Sequence, residues 1–179
     1  MSIASDLRQR LDNCPPGISG WRQFEDLCIE TLTYLFVPPL TKPIIQPRSY
    51  SGIDRRDAAF PNRNLAKRNN WGHLYQELRA RVVLFEFKNY DKDEVGKEEV
   101  NQLSDYMTKP MGRLAIMCCN RPPNDAAHTK RNTIFSQHDK VVLFLNVAHL
   151  KEMILIKERG DDPSDLIMDL LEQFYLQHE

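Results

Sequence analysis

The chain has 179 residues, 41% apolar and 27% charged, with a formal net charge of −1. That length suits one domain with a full hydrophobic core, and the near-neutral balance gives no argument from bulk charge for a polyanionic partner. No apolar stretch approaches the roughly 20 residues of a membrane span, and the start, MSIASDLRQR, lacks the apolar segment of a signal peptide. A cytoplasmic protein without a membrane partner is expected.

In chain order, a short helix is expected over Ile3 to Leu11, followed by a breaker-rich loop, Asn13 to Gly20, with Pro15, Pro16 and Gly17. Phe24, Leu27, Cys28, Leu32, Leu35 and Phe36 form an apolar stripe at helical spacing, which predicts a helix from about Gly20 to Phe36, stopped by Pro38-Pro39. Ile44-Ile45 and Ile53 to Phe60 are strand candidates, paired as a hairpin or bent edge. Residues 63 to 80 form an irregular basic segment with a short helix around Trp71 to Leu78. Residues 81 to 88 read as a central buried strand. A helix over about Glu98 to Met107, a strand at Leu114 to Cys118 and a helix at Ala126 to His138 follow. A strand at Val141 to Leu145, a helix at Ala148 to Ile156 and a last helix starting near Pro163 complete the chain. Strands alternating with helices imply right-handed crossovers, a partly parallel sheet and helices on both faces. The expectation is one α/β domain, with a core over about 20–145 and a C-terminal helical extension over about 148–177.

Charge is unevenly spread. Residues 42–88 hold ten Lys or Arg against four acids, and residues 152–179 hold eight acids against two bases. A basic surface near the central strand is expected. The tail could also mimic nucleic acid by folding over that basic segment. The four cysteines, Cys14, Cys28, Cys118 and Cys119, make no Cys-x-x-Cys pair, so they read as reduced thiols and not as a zinc site.

The central strand, Val82-Val83-Leu84-Phe85-Glu86-Phe87-Lys88, is the most informative segment. Side chains alternate along a strand, so Glu86 and Lys88 share a face. Buried charges are costly unless paired or metal-bound. The pair is therefore either a local salt bridge or the centre of a metal site. If the preceding strand is its neighbour, Asp57 and Glu86 can converge on one ion, a hard oxygen site suited to Mg²⁺ or Mn²⁺. Such an ion polarises a phosphodiester and activates a water, and Lys88 would assist that water or the charge of the transition state. Asp54 competes with Asp57 for the metal role. Asn89 and Tyr90 end the strand at a wet cleft.

These pieces, taken in order, resemble a known superfamily. They are Gly20-Trp21-Arg22-Gln23-Phe24-Glu25, Arg55-Arg56-Asp57-Ala58-Ala59-Phe60-Pro61-Asn62, Phe85-Glu86-Phe87-Lys88-Asn89-Tyr90 and Glu99-Val100-Asn101-Gln102-Leu103. The order is similar to that of the PD-(D/E)xK nucleases, and more narrowly to a bacterial branch with Arg-Arg-Asp and Phe-Glu-x-Lys-Asn strands. The resemblance implies a restriction-endonuclease-like core, a mixed sheet of about four strands flanked by helices. It implies metal ligation by Asp57 and Glu86, assistance by Lys88, a further metal contact from Glu25 and a site-lining role for Gln102. Arg56 stands where the superfamily usually has proline. Each added residue has a plainer alternative: Glu25 suits the start of a helix, and Gln102 suits a solvated helix face.

Phosphate contacts are expected from Arg55, Arg56, Arg63, Lys67 and Arg68, with Asn89 beside them and Arg79 and Arg81 further along. Trp71 is either a base-stacking residue or a core anchor, and His73 either a general acid or a structural residue. The expected function is a Mg²⁺-dependent endonuclease acting on DNA. A homodimer would cut both strands, and an NTPase or other defence-system partner is the remaining partner expectation. The alternative is a catalytically inactive nucleic-acid-binding or partner-docking module of a defence or repair assembly.

Overall fold

A computed structural model describes residues 2–52 and 55–178. Its centre is a five-stranded sheet in the order β1-β2-β3-β4-β5. The strands are β1 (Ile44–Ile45), β2 (Ala58–Pro61), β3 (Val82–Lys88), β4 (Leu114–Cys119) and β5 (Val141–Asn146). The first two pairings are antiparallel and the last two parallel. The mixed α/β sheet is as the sequence led us to expect, with β1 as a fifth, two-residue strand on the margin. β2 begins later than expected. Ile53 and Asp54 lie outside the described residues, and Arg55 makes only an isolated bridge with Arg48.

Among the described residues seven helices surround the sheet: α1 (Ile3–Asp12), α2 (Trp21–Phe36), α3 (Asn70–Leu78), α4 (Lys97–Tyr106), α5 (Asp125–His138), α6 (Val147–Glu158) and α7 (Asp165–Gln177). The period-two alternation of β3 sorts them into layers. Val83, Phe85 and Phe87 point into a core shared with α1, α2, α3, α6 and α7. Leu84 joins Ala115, Met117, Val142 and Phe144 on the opposite face, under α4 and α5. Glu86 and Lys88 follow Leu84 in that alternation, so they fall on the α4 side at the strand's end.

Local capping explains several boundaries. Asn69, Asn124 and Asn146 each accept a backbone N–H of the first turn of α3, α5 and α6. α7 starts at Asp165, two residues past the expected Pro163. Asp162 Oδ1 there accepts both the N–H and the hydroxyl of Ser164 and delays the first helical turn.

The end of the sheet where β2 finishes and β3 begins is held by one side chain. Buried Asn62 donates to the carbonyls of Trp71 and Ala80, each at 2.9 Å, and its oxygen accepts from both nitrogens of Asn64. All its hydrogen-bonding capacity is used. Beside it Trp71 is 0% exposed and meets Phe36 edge-on at 5.0 Å. Trp71 is therefore a core anchor and not a stacking platform. Asn62→Ala strands two buried carbonyls, and it is expected to lower unfolding stability by about 2–3 kcal/mol. Urea denaturation followed by far-UV circular dichroism measures that loss.

Candidate active site

β2 runs antiparallel to β3 with Ala58 opposite Phe85. One step further along that register, Asp57 falls opposite Glu86. Pairing stops there, and the Asp57 side chain takes over: its Oδ2 accepts the Phe87 N–H at 2.9 Å. Glu86 is 6% exposed, and its Oε1 accepts from Lys88 Nζ at 3.0 Å. Its Oε2 is buried with no hydrogen-bond partner. Glu25 comes from the first turns of α2, is 8% exposed, and accepts from Gln46 Nε2 at 3.0 Å.

The electrostatics tie these groups together. Burial, then the charge of Glu86, pushes Asp57 up to about 7. The Phe87 N–H opposes that rise and Glu25 adds to it. Burial pulls the Lys88 ammonium down, but the charge and hydrogen bond of Glu86 outweigh it, so the net shift is upward. Lys88 is therefore protonated at neutral pH. Glu86 and Glu25 thus both act on Asp57, and Lys88 is coupled to Glu86 and Asp57. Among the described residues no group of three or more His, Cys, Asp or Glu side chains stands ready to hold a metal ion. One oxygen of each carboxylate is already held by a donor of the protein, on Phe87, Lys88 or Gln46.

The loop before α2 is bolted to the end of β3. Asn89 Nδ2 donates to the Pro15 carbonyl at 2.9 Å, and a Cβ on Gly20 would meet that same carbonyl oxygen at 1.8 Å. Only glycine lets the chain fold back on Pro15 so closely just before α2 begins. Asn89 is thus a positioning residue here, with its amide spent on the loop. Trp21, one turn before Glu25 on α2, is 40% exposed and carries Arg22 stacked at 5.1 Å. With Ile18, Asn89, Tyr90, Lys92 and the acids Asp91 and Asp93 it lines an open groove just past the end of β3.

The expected phosphate-binding residues divide. Arg55 is exposed at the carboxylate end of the sheet. Arg56 is 4% exposed; its guanidinium donates to the Tyr106 carbonyl and stacks on the Tyr106 ring at 5.5 Å. It locks α4 to the sheet and is not a surface cation. Arg63, Lys67 and Arg68 are exposed but follow β2, which runs away from Asp57. They sit at the opposite end of the sheet, about 20 Å away by the length of β3. Acids of the tail make no ion pair with those three bases among the described residues. Gln102 is exposed, and its amide is spent on the Tyr106 hydroxyl at 2.8 Å. His73 is exposed on α3.

Two neighbours were not anticipated. Gln46, at φ 49°, orients Glu25, and no sequence pattern marks it. Glu99, on α4, accepts from the Tyr90 hydroxyl at 2.9 Å and from the Gly96 N–H. Burial and that hydrogen bond push Tyr90 up to about 12. Glu99 is the α4 residue whose charge reaches Lys88. The capping pattern Gly96-x-x-Glu99 was the available signal.

No helix among the described residues is long and apolar enough to cross a membrane. Over 166 residues, 90% of its length, the chain is 26% identical to the putative transposon gamma-delta 80.3 kDa protein of Escherichia coli (strain K12). It spans 23% of that protein's length. No family model matches the chain, and no solved structure matches it.

Proposed function

We propose that the chain is a divalent-metal-dependent nuclease domain of the restriction-endonuclease-like type, acting on DNA. The observation that carries this reading is the meeting of Asp57 and Glu86 across adjoining strands, with Lys88 on the same face and a buried, unpartnered oxygen on Glu86. Three carboxylates against one ammonium leave uncompensated negative charge, which a divalent cation suits. Asp57 and Glu86 would hold Mg²⁺ or Mn²⁺, with Glu25 beside them. When bound, such an ion polarises the scissile phosphate and acidifies a water.

The chain's own residues define the remaining roles. Lys88 keeps its proton, so it serves as a hydrogen-bond donor to charge developing on the phosphate, and not as a base. Glu86 anchors that ammonium. The Phe87 N–H fixes one Asp57 oxygen and leaves the other to turn toward the ion. Arg48 and Arg55, bridged at the same end of the sheet, would hold flanking phosphates, and Trp21 would stack on an unpaired base in the groove. The relative's name places it in a transposon, which favours DNA as the substrate. A homodimer for double-strand cleavage and an NTPase or other partner belong to the same proposal.

A non-catalytic nucleic-acid-binding or docking module is the second reading. It is favoured by the Lys88–Glu86 contact, which on that view is a finished buried ion pair.

Plasmid nicking in Mg²⁺ or Mn²⁺ separates the two. Glu86→Gln and Asp57→Asn are expected to lower the rate by about 100-fold or more and to weaken Mn²⁺ binding in calorimetry. Lys88→Ala should lower the rate comparably while Mn²⁺ still binds. Wild-type protein that neither binds Mn²⁺ nor nicks DNA would favour the second reading. Trp21→Ala is expected to raise KM for single-stranded ends several-fold with kcat nearly unchanged, measured in steady-state assays.

Asp57 also predicts a pH effect on the metal-free protein. Its native pKa, about 7, lies above the usual 3.8. Between those values the native state holds a proton that the unfolded chain has released, so stability falls as pH rises through this window and levels off above it. Thermal melts from pH 5 to 8 should show a decline of several degrees that Asp57→Asn removes. Saturating Mg²⁺ should reverse it at pH 8.

A further inference from the structure

The outer edge of β5 is wrapped by a cavity of about 220 Å³. It lies two strands away from β3 and contains none of the carboxylates described above. Phe144 lines it from the face that carries α4 and α5, Leu143 and Leu145 from the opposite face, and α7 closes it with Gln173, Phe174 and Gln177.

Arg131, on α5, is its charged centre. The guanidinium carbon lies 5.1 Å from the Phe144 ring centroid and 4.9 Å from that of Phe174. Ring faces attract the cation but leave its N–H donors unmet. Arg131 Nε is buried with no hydrogen-bond partner. No carboxylate among the described residues ion-pairs with Arg131, and no acid lines the cavity. A buried donor left unmet is costly, and more so when it is charged. An oxyanion in the cavity would remove that cost, and the planar fork of arginine matches one well.

Other polar side chains of the lining can donate as well. His149 Nδ1 accepts the Asn146 N–H at 3.2 Å, so the proton of its neutral ring sits on Nε2. His128 stands edge-on to Phe144 at 5.3 Å. The two glutamine amides add further N–H groups. These donors come from three helices, α5, α6 and α7, and so from several directions. That distribution suits the tetrahedral oxygens of a phosphate better than a planar carboxylate. Phe174 and Leu143 leave an apolar wall for the organic part of an ester.

We infer that this cavity is a binding site for a phosphate monoester, anchored by Arg131. Two sources share that chemistry, a free nucleotide and the 5′-phosphorylated end of a nucleic-acid strand. The inference does not rest on the nuclease reading.

Calorimetric titrations of the full chain, without metal and at constant ionic strength, test it. The probes are inorganic phosphate, deoxyadenosine 5′-monophosphate, and one oligonucleotide with and without a 5′-phosphate. Saturable phosphate binding is expected, weakened about tenfold by Arg131→Met and less by Arg131→Lys. Binding of the mononucleotide with exclusion of both oligonucleotides assigns the site to free nucleotides. Binding of the phosphorylated oligonucleotide over its hydroxyl counterpart assigns it to strand ends. Arg131→Met also removes packing, so Gln173→Glu supplies an independent arm. A built-in carboxylate there should raise the melting temperature and abolish phosphate binding. No saturable phosphate binding by the wild type, or binding that survives both Arg131→Met and Gln173→Glu, overturns the inference.

Discussion

The arrangement depends on where the ladder between β2 and β3 stops. Backbone pairing ends at Ala58 opposite Phe85, and the next donor along β3, the Phe87 N–H, goes to the Asp57 side chain. That substitution makes one carboxylate both a structural cap on the sheet and a chemical group facing Glu86. Everything nearby is arranged around the resulting crowding of charge. Lys88 offsets part of it and Gln46 turns Glu25 inward. Asp57 yields the rest by favouring its protonated form at pH values where an ordinary aspartate would be ionised.

The second organising constraint is direction. β3, β4 and β5 run parallel, so Lys88, Cys119 and Asn146 end in line at one edge of the sheet. Loops leaving that edge carry Asn89 and Asn120, each pinned by side-chain bonds to a neighbouring loop, and the start of α6, closed by the Asn146–His149 cap. Asn120, for instance, accepts from the Tyr90 N–H and donates to its carbonyl. Open α/β sheets commonly present ligand sites at such an edge. β2 runs the other way, and it alone contributes to the site from its beginning.

Much of this was legible in the residues. The apolar runs at 82–88, 114–118 and 141–145 are strands because they are buried on both faces, and their interleaving with amphipathic helices gave the layered α/β plan. The pairing of Asp57 with Glu86 followed from two strands being neighbours. What could not be read was the course of the chain in space. The cluster Arg63, Lys67 and Arg68 looked adjacent to the carboxylates because it is adjacent in sequence, yet antiparallel β2 carries it to the far end. Arg56 looked like a surface cation because strand alternation fails where pairing stops, and its aromatic partner, Tyr106, lies fifty residues away. Trp71 was hard to assign from its neighbours Asn70 and Gly72, and packing against Phe36 buries it.

The buried knot at Asn62 sits at the end of the sheet opposite the crowded carboxylates. The fully satisfied hydrogen-bond knot and the crowded carboxylates are thus at opposite ends of the sheet, joined by the length of β3. Catalytic centres commonly trade robustness for function because both draw on the same side chains. On the proposed function, that trade is loosened here by distance. Changes at Asn62, Asn64 and Trp71 therefore act on the stability of the scaffold, while the protonation of Asp57 is set at the other end of the sheet.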